Sequence, residues 1–174
     1  QTFEIKYNGW PGVDSYTSSA SFSAISLSGS TTDYISFSNV DLGSTSTPDF
    51  TIELRVRSNG WSGDPAIVSN KNWSSGQNEG FVLAANGNGW KFNIGNSAER
   101  IDLAGSTIND GQWHHIAVSY DASGTKSVYQ DGNLINSTTD VIASYTTAGL
   151  ALVLGQDGTF NYGFAFPGEA SDVR

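Results

Sequence analysis

The chain of 174 residues is long enough for one domain with a full hydrophobic core, and it has no cysteine, which excludes disulfide scaffolds, cysteine nucleophiles and thiolate zinc sites. Its net charge of −9 and its eight scattered Lys and Arg residues argue against binding to nucleic acid or to an anionic membrane surface, since both need clustered cations. No apolar run approaches the roughly 20 residues that cross a membrane, so membrane insertion is not expected.

Two-residue alternation of apolar and polar side chains dominates the chain and predicts strands with one buried face. The clearest case is the run 50–57, in which four apolar residues alternate with four polar or charged ones. Turn signals separate the strands, and Asp131-Gly132 is the strongest of them because a tight hairpin turn needs residues that tolerate a positive φ. In chain order the other predicted strands are 3–7, 22–27, 34–38, 66–69, 80–85, 89–94, 100–103, 112–120, 126–130, 133–137 and 150–154.

The pattern of the whole chain predicts an all-β fold. No stretch of ten or more residues has helical periodicity. Many short strands with regular turns are typical of an antiparallel sandwich of two sheets. The Ser-rich segment 14–24 is short and flanked by predicted strands, so we expect a surface loop there and a single domain over residues 1–174.

Five stretches in a fixed order resemble a known group of domains. The most specific is 110–121, which contains Gly-Gln-Trp-His-His, followed by the Val-Tyr-Gln-Asp-Gly hairpin. Over about residues 22–174 the chain resembles laminin-G-like and pentraxin-like domains of the concanavalin type, which implies a two-sheet jelly roll. Such domains usually continue past their Asp-Val-Arg, so the resemblance also implies a module of a larger protein with an incomplete last strand. The five stretches are 24–29 with 33–36, 50–56, 110–121, 128–132, and 152–156 with 166–174.

Catalysis is not the expected role of the chain. It lacks the Gly-x-Ser-x-Gly nucleophile elbow, and no predicted strand carries two glutamates on one face for glycoside hydrolysis. His114 and His115 are neighbours on a strand and point to opposite faces, so they do not ligate one metal ion together. Glu53, Arg55 and Arg57 only faintly resemble the Arg-x-Glu-x-Arg strand of alginate lyases in the wider concanavalin group; with His115 they are the residues that an enzyme would use.

Calcium is the cofactor that the sequence favours. Hard cations take several oxygen ligands from carboxylates, amides and loop carbonyls, and residues 156–161 offer such groups directly after a strand. In the pentraxin-like pattern a Gly-Gln followed by acidic and amide residues lies beside an Asn-containing loop and binds calcium. The resemblance therefore implies Asp157, Gln156 and Asn70 as ligands. The alternative is that Asp157 and Asn70 are turn residues and nothing more.

Trp61 and Trp73 lie in polar, Gly-rich loops, which makes them candidates for sugar binding. The flat apolar face of a tryptophan can cover the C–H face of a sugar ring while neighbouring amides pair with hydroxyl groups. The alternative is that each indole folds back and plugs the open end of the sandwich. Trp113, at the start of a strongly alternating strand, is expected to be structural. The predicted binding rim consists of segments 59–64, 70–79 and 156–163, with Trp61, Asn72, Trp73, Asn78 and Tyr162 as ligand-binding residues.

The predicted function is non-catalytic carbohydrate binding. The chain would be a lectin-like module of a secreted or cell-surface protein, of bacterial source, that binds a glycan or polysaccharide with the help of calcium. A protein-interaction, adhesion or spacer domain without a sugar site, as many laminin-G-like domains are, is the main alternative, with another extracellular protein as its partner. A polysaccharide lyase or hydrolase is the weaker alternative.

Overall fold

The computed structural model describes residues 23–37, 49–145 and 149–174, and the predicted strand 3–7 lies outside these ranges. The described residues contain twelve β-strands and no helix, so none of their segments is a helix that could cross a membrane. The strands are β1 (Ile25–Ser28), β2 (Ile35–Phe37), β3 (Phe50–Arg57), β4 (Ala66–Ser69), β5 (Gly80–Asn86), β6 (Gly89–Gly95), β7 (Arg100–Thr107), β8 (His114–Tyr120), β9 (Lys126–Gln130), β10 (Asn133–Thr138), β11 (Leu152–Leu154) and β12 (Pro167–Ser171).

The strands form two antiparallel sheets of six strands each, which confirms the expected all-β sandwich. The order in the first sheet is β1-β12-β3-β8-β9-β10, and the order in the second is β2-β11-β4-β5-β6-β7. Alternation did not predict β12, because Pro167 and Gly168 interrupt the pattern, yet β12 pairs with both β1 and β3. Proline is tolerated there because it is the first residue of the strand.

Among the strands whose bounds differ from the predicted ones, β7 and β8 do so for local reasons. β7 runs four residues further than predicted, past Gly105, where the missing side chain leaves room for an indole: a Cβ on Gly105 would lie 2.2 Å from Nε1 of Trp90. β8 begins at His114, two residues later than predicted. The side chain of Asp110 accepts a hydrogen bond from the backbone N–H of Gln112 (2.9 Å) and so stabilises a turn before the strand.

The inner faces of the sheets enclose the main hydrophobic core. In β3 the four apolar residues are at most 9% exposed, and the residues between them face outwards. Aromatic rings fill the centre: Phe50 and Tyr120 stack with centroids 5.0 Å apart, and Phe92 and Tyr145 approach Tyr120 edge-on. Stacked and edge-on pairs are the arrangements that aromatic rings prefer. The outward-facing side chains of β3 therefore project from a rigid, well-packed strand.

β8 divides its two histidines as the alternation predicts. His114 is opposite Val56, a core residue of β3, and its side chain is 14% exposed. His115 is opposite Arg55 and faces outwards with a side chain that is 35% exposed. The pair therefore lies on two different faces of the first sheet.

The outer face of the second sheet is covered by residues 70–79, which we call the covering segment. The indole of Trp73 packs against Ala66, Val82 and Ala84, which project outwards from β4 and β5 and are all buried. The apolar residues of this outer face form a second, smaller core with the covering segment, and Tyr162 packs against its edge.

Candidate functional site

Three segments that the sequence predicts as a binding rim meet in the structure. The indole Nε1 of Trp73 donates a hydrogen bond to the carbonyl of Asp64 (2.9 Å), and the backbone N–H of Trp73 donates to Asp157 Oδ2 (3.0 Å). The hydroxyl of Tyr162 donates to Asp64 Oδ1 at 2.5 Å. The three predicted segments thus form one connected rim.

The two tryptophans of this rim do not offer free indole faces. Trp73 is 5% exposed, and the ammonium of Lys91 lies 4.7 Å from the centroid of its ring. Trp61 is half-buried: its Nε1 donates to the carbonyl of Gly87 (3.0 Å) and its ring packs against Phe166 at 6.2 Å. Both indoles therefore fold back onto the sandwich, which is the alternative that the sequence left open.

The predicted polar residues of the rim stabilise its loops. Asn78 Nδ2 donates to the carbonyl of Asn72 (2.9 Å), and Asn72 Oδ1 accepts the backbone N–H of Ser74 (3.0 Å). Burial raises the pKa of Tyr162, and its hydrogen bond to Asp64 acts in the same direction, so the phenol stays protonated. Each of these predicted ligand-binding residues thus has a partner inside the protein.

The predicted calcium ligands are close together but are already used by the fold. Asp157, which is 1% exposed, accepts the backbone N–H of Trp73, and Gln156 Oε1 accepts the backbone N–H of Asp157 (2.8 Å). Asn70 Oδ1 accepts the backbone N–H of Phe81 (2.8 Å). Within the described ranges no three His, Cys, Asp or Glu residues are grouped as cation ligands. In this conformation the oxygens of these three residues accept hydrogen bonds within the fold, and calcium stays a prediction.

The outer face of the first sheet, in contrast, is open and carries charged side chains of both signs. We call this set the arginine band. Its members come from β3, from the start of β8, and from β12 with the residues that follow it. The arginine band consists of Glu53, Arg55, Arg57, Trp113, His115, Glu169, Asp172 and Arg174.

Strand register explains why these side chains meet. In β3, residues two apart share a face, and Arg55 is opposite His115 of β8 on one side and Ser171 of β12 on the other. Asp172 has a left-handed backbone (φ 53°), which turns the chain at the end of β12. Arg174 then pairs with Glu53 through both backbone hydrogen bonds, 2.9 and 3.0 Å. The turn at Asp172 thus brings a third arginine to the open face.

One end of the arginine band combines an ion pair with an exposed indole. Arg57 and Glu169 form a close ion pair across β3 and β12. The guanidinium of Arg57 lies 5.2 Å from the centroid of Trp113, a cation–π arrangement. Trp113, expected from the sequence to be structural, is 37% exposed. This end therefore presents a flat apolar ring beside fixed charges.

The other end is a hydrogen-bonded cluster around Glu53. Its Oε1 accepts a bond from Arg174 Nη1 and its Oε2 is bonded to His115 Nε2, each at 3.2 Å. The hydrogen bond from Arg174, with a smaller contribution from His115, lowers the pKa of Glu53, so this carboxyl is ionised at neutral pH. Arg55 stands between the two ends, 3.9 Å from Asp172.

Two shallow cavities lie along the arginine band. One of about 450 Å³ is lined by Arg57, Glu169 and the turn residues Ser58 to Gly60. The other, of about 370 Å³, is lined by the Glu53 cluster with Arg55 and Asp172. Cavities of this size are large enough for sugar units, and they are walled by groups that donate and accept hydrogen bonds.

Sequence reasoning found part of this site. The outward alternation of Glu53, Arg55 and Arg57 was visible, and alternation placed His114 and His115 on opposite faces without deciding which of them faces outwards. Glu169 and Arg174 were missed, because they join the site only through a strand whose Pro and Gly hide its pattern.

A family model matches most of the length of the chain. The family model Laminin_G_3, described as Concanavalin A-like lectin/glucanases superfamily, matches residues 28–174. The chain belongs to this family. Among curated relatives it is 35% identical over 106 residues to the rat "Sushi, von Willebrand factor type A, EGF and pentraxin domain-containing protein 1" and 37% identical over 94 residues to the mouse protein. These matches cover 57% and 50% of the chain but only 3% of each relative.

Solved structures of the same fold confirm the concanavalin-like sandwich. Domains LG4-5 of the mouse laminin alpha1 chain align with a TM-score of 0.65 at 17% identity, over 96% of this chain and 44% of that one. Domain 4 of an extracellular GH43 arabinanase from Geobacillus stearothermophilus, in complex with arabinotriose, aligns with a TM-score of 0.64 at 22% identity. This alignment covers 96% of this chain and 76% of that one. The CBM40 of the Ruminococcus gnavus IT-sialidase, bound to alpha2,3 sialyllactose, aligns with a TM-score of 0.59 at 15% identity. This alignment covers 86% of this chain and 88% of that one.

Proposed function

We propose that the chain is a non-catalytic carbohydrate-binding module of a secreted or cell-surface protein of bacterial source, and that the arginine band is its binding site. The observation that carries the proposal is the open outer face of the first sheet, where an exposed indole lies beside fixed guanidinium and carboxylate groups. The neighbours in complex with arabinotriose and with sialyllactose support the choice of ligand class.

The chemistry of the arginine band suits a sugar. Guanidinium groups donate hydrogen bonds to hydroxyl oxygens, and the carboxylates of Glu53 and Glu169 accept them. The face of Trp113 can cover the C–H side of a pyranose or furanose ring. Because the side chains project from packed strands and hold one another in ion pairs, little conformational entropy is lost when a ligand binds.

The same geometry argues for binding without catalysis. A glycoside hydrolase needs one carboxyl group that is protonated at working pH and a second across the cleft. Glu53 is held ionised by Arg174 and His115, so it is a poor general acid. Glu169 is committed to its ion pair with Arg57.

A glycan array compared across two variants tests the proposal. We expect Trp113→Ala to reduce binding by roughly tenfold or more through loss of the ring contact. Phe164→Ala is the matched control, since Phe164 is 41% exposed beside the predicted rim, where its ring packs against Tyr162, rather than on the arginine band. The variant should bind like wild type. The reverse pattern would place the site on the rim and overturn the proposal.

The array is run in millimolar calcium and again in chelator. The side chains of the arginine band bind a sugar without a metal ion, so we expect the same hits in both buffers. A hit lost in chelator would instead support the calcium site predicted from Asp157, Gln156 and Asn70 and would move the binding site to the rim.

Adhesion through protein contact is a second candidate function, which the edge strand β10 favours. β10 lies at the edge of the first sheet, contains no charged residue, and has Leu134 57% exposed. Edge strands without charges readily pair with another strand. If this candidate is correct, Leu134→Lys abolishes adhesion to deglycosylated extracellular matrix proteins and leaves glycan binding intact. Adhesion that survives the substitution would remove it.

A further inference from the structure

We infer that the ligand of the arginine band is an acidic glycan and that Arg55 binds its carboxylate group. This inference rests on the proposed function and names the ligand class of the same site. It depends on three features of the structure: the distribution of arginine over the molecule, the pairing state of each arginine in the band, and the groups that surround Arg55.

Arginine is concentrated on one face of an acidic protein. The chain has four arginines, and Arg55, Arg57 and Arg174 all belong to the arginine band. The band also holds three carboxylates, Glu53, Glu169 and Asp172, so its net charge is zero with His115 neutral. The rest of the chain therefore carries the whole net charge of −9. An anion that approaches this face therefore meets no net negative charge among the residues of the arginine band.

Among these three arginines, Arg55 differs in that its ion pair with Asp172 is long and its guanidinium makes no hydrogen bond to a described residue. Arg57 is paired with Glu169, and Arg174 donates to Glu53. The side chain of Arg55 makes no hydrogen bond to any described residue, and its Nε lies 3.9 Å from Asp172 Oδ2, beyond hydrogen-bond distance. It is 52% exposed, in the middle strand of the open face. A guanidinium cannot lose its charge at any physiological pH, so this cation has donors that are free for a ligand.

The surroundings of Arg55 favour an anion over a neutral hydroxyl. His115 and Ser171, its neighbours across the sheet, are not negatively charged, and the charge of Glu53 is offset by Arg174. Asp172 is the one carboxylate that competes for Arg55, and it does so without a hydrogen bond. A planar carboxylate matches the guanidinium fork and forms two parallel charged hydrogen bonds. A uronic or sialic acid supplies that group on a sugar ring.

The experiment compares acidic polysaccharides with the same backbones after the charge is removed. Calorimetry is run with polygalacturonate, alginate, hyaluronate and polysialic acid, each beside its methyl ester, and with neutral arabinan and xylan. We expect at least one acidic polymer to bind and its ester to bind roughly tenfold more weakly or worse, the effect of losing a charged hydrogen bond. Esters or neutral polymers that bind as well as the acids would overturn the inference while the proposed function stands. No binding to any polymer would overturn both.

Variants assign the effect to Arg55. Arg55→Gln should lose the preference for acid over ester, and Arg55→Lys should keep part of it, since the charge remains and the fork is lost. Arg100→Gln is the matched control, because Arg100 is equally exposed but lies on the second sheet, paired with Asp102. Asp172→Asn should strengthen acid binding by removing the competing carboxylate. Acid binding that is unchanged in Arg55→Gln would overturn the assignment of a carboxylate to Arg55.

Discussion

The two sheets each have six strands and are both antiparallel, yet one outer face is exposed and the other is covered. The first sheet presents charged side chains to solvent, and the second is covered by residues 70–79. The difference begins in the strands. β3 alternates strictly, with charges on its outer side, whereas β5 reads Gly-Phe-Val-Leu-Ala-Ala and is buried on both faces. A strand with a continuous apolar run needs a cover on each side.

The covering segment of the second sheet contains a buried lysine. Lys71 is fully buried there, and its ammonium donates to Asn93 Oδ1 (2.6 Å) and to the carbonyl of Gly76 (2.9 Å). Burial lowers the pKa of Lys71 to about 7. The open face keeps its cations in solvent, whereas the covered face holds one in a weakly hydrated site. The two faces should therefore respond differently to truncation and to pH.

Matched tryptophan truncations give the largest expected difference between the faces. Trp73→Ala removes the indole that covers Ala66, Val82 and Ala84, and we expect a loss of roughly 3–5 kcal/mol in the free energy of unfolding. Trp113→Ala on the open face should cost less than about 1 kcal/mol, since it removes only an exposed ring and its contact with Arg57. Urea denaturation measures both. Equal losses would show that the covering segment is not packed as described.

The pH dependence of stability gives the next largest effect. Because the pKa of Lys71 is about 7 in the folded protein and that of an unfolded lysine is about 10.5, the unfolded chain binds more protons between these values. The free energy of unfolding should therefore rise with pH from about 7.5 to 9.5, with an upper limit of about 1.4 kcal/mol per pH unit. Lys71→Met should remove this slope, and Lys91→Met, at the edge of the same indole, should keep it.

A wild-type curve that is flat over this range would contradict the lowered pKa of Lys71 in the folded protein. The raised pKa values of Tyr120, Tyr145 and Tyr162 act only above about pH 10, so they do not disturb the measurement.

The contrast between the two outer faces also shows which features of the structure could be predicted from the sequence. Alternation predicted eleven of the twelve strands and the outward position of Glu53, Arg55 and Arg57, because one side chain in two must face the core. It did not predict that Trp73 is buried. A polar loop such as 70–79 gives no periodic signal, and only the apolar outer side of β5 shows that something must lie over it.

The smallest effect concerns His114, at the inner edge of the first sheet. Its Nδ1 is 2.8 Å from Asp131 Oδ2 and its Nε2 is 3.1 Å from Asp110 Oδ1. Burial disfavours the charged imidazole, but the hydrogen bonds to Asp131 and Asp110 outweigh this cost and raise the pKa of His114. The stabilisation is therefore fully present below about pH 6.5 and is lost as the pH rises through the folded-state pKa.

His114 makes the free energy of unfolding fall with rising pH, whereas Lys71 makes it rise. The two sheets can therefore be distinguished by the sign of their pH dependence. Both carboxylate partners are partly exposed, and solvent screening limits the effect to roughly 1 kcal/mol or less. We expect His114→Gln to remove the decline in the free energy of unfolding above about pH 6.5 and to leave the rise due to Lys71 in place. His115→Gln is the control, since His115 lies on the outer face. If His115→Gln removed the decline and His114→Gln did not, the assignment of the titrating group to the inner edge would be wrong.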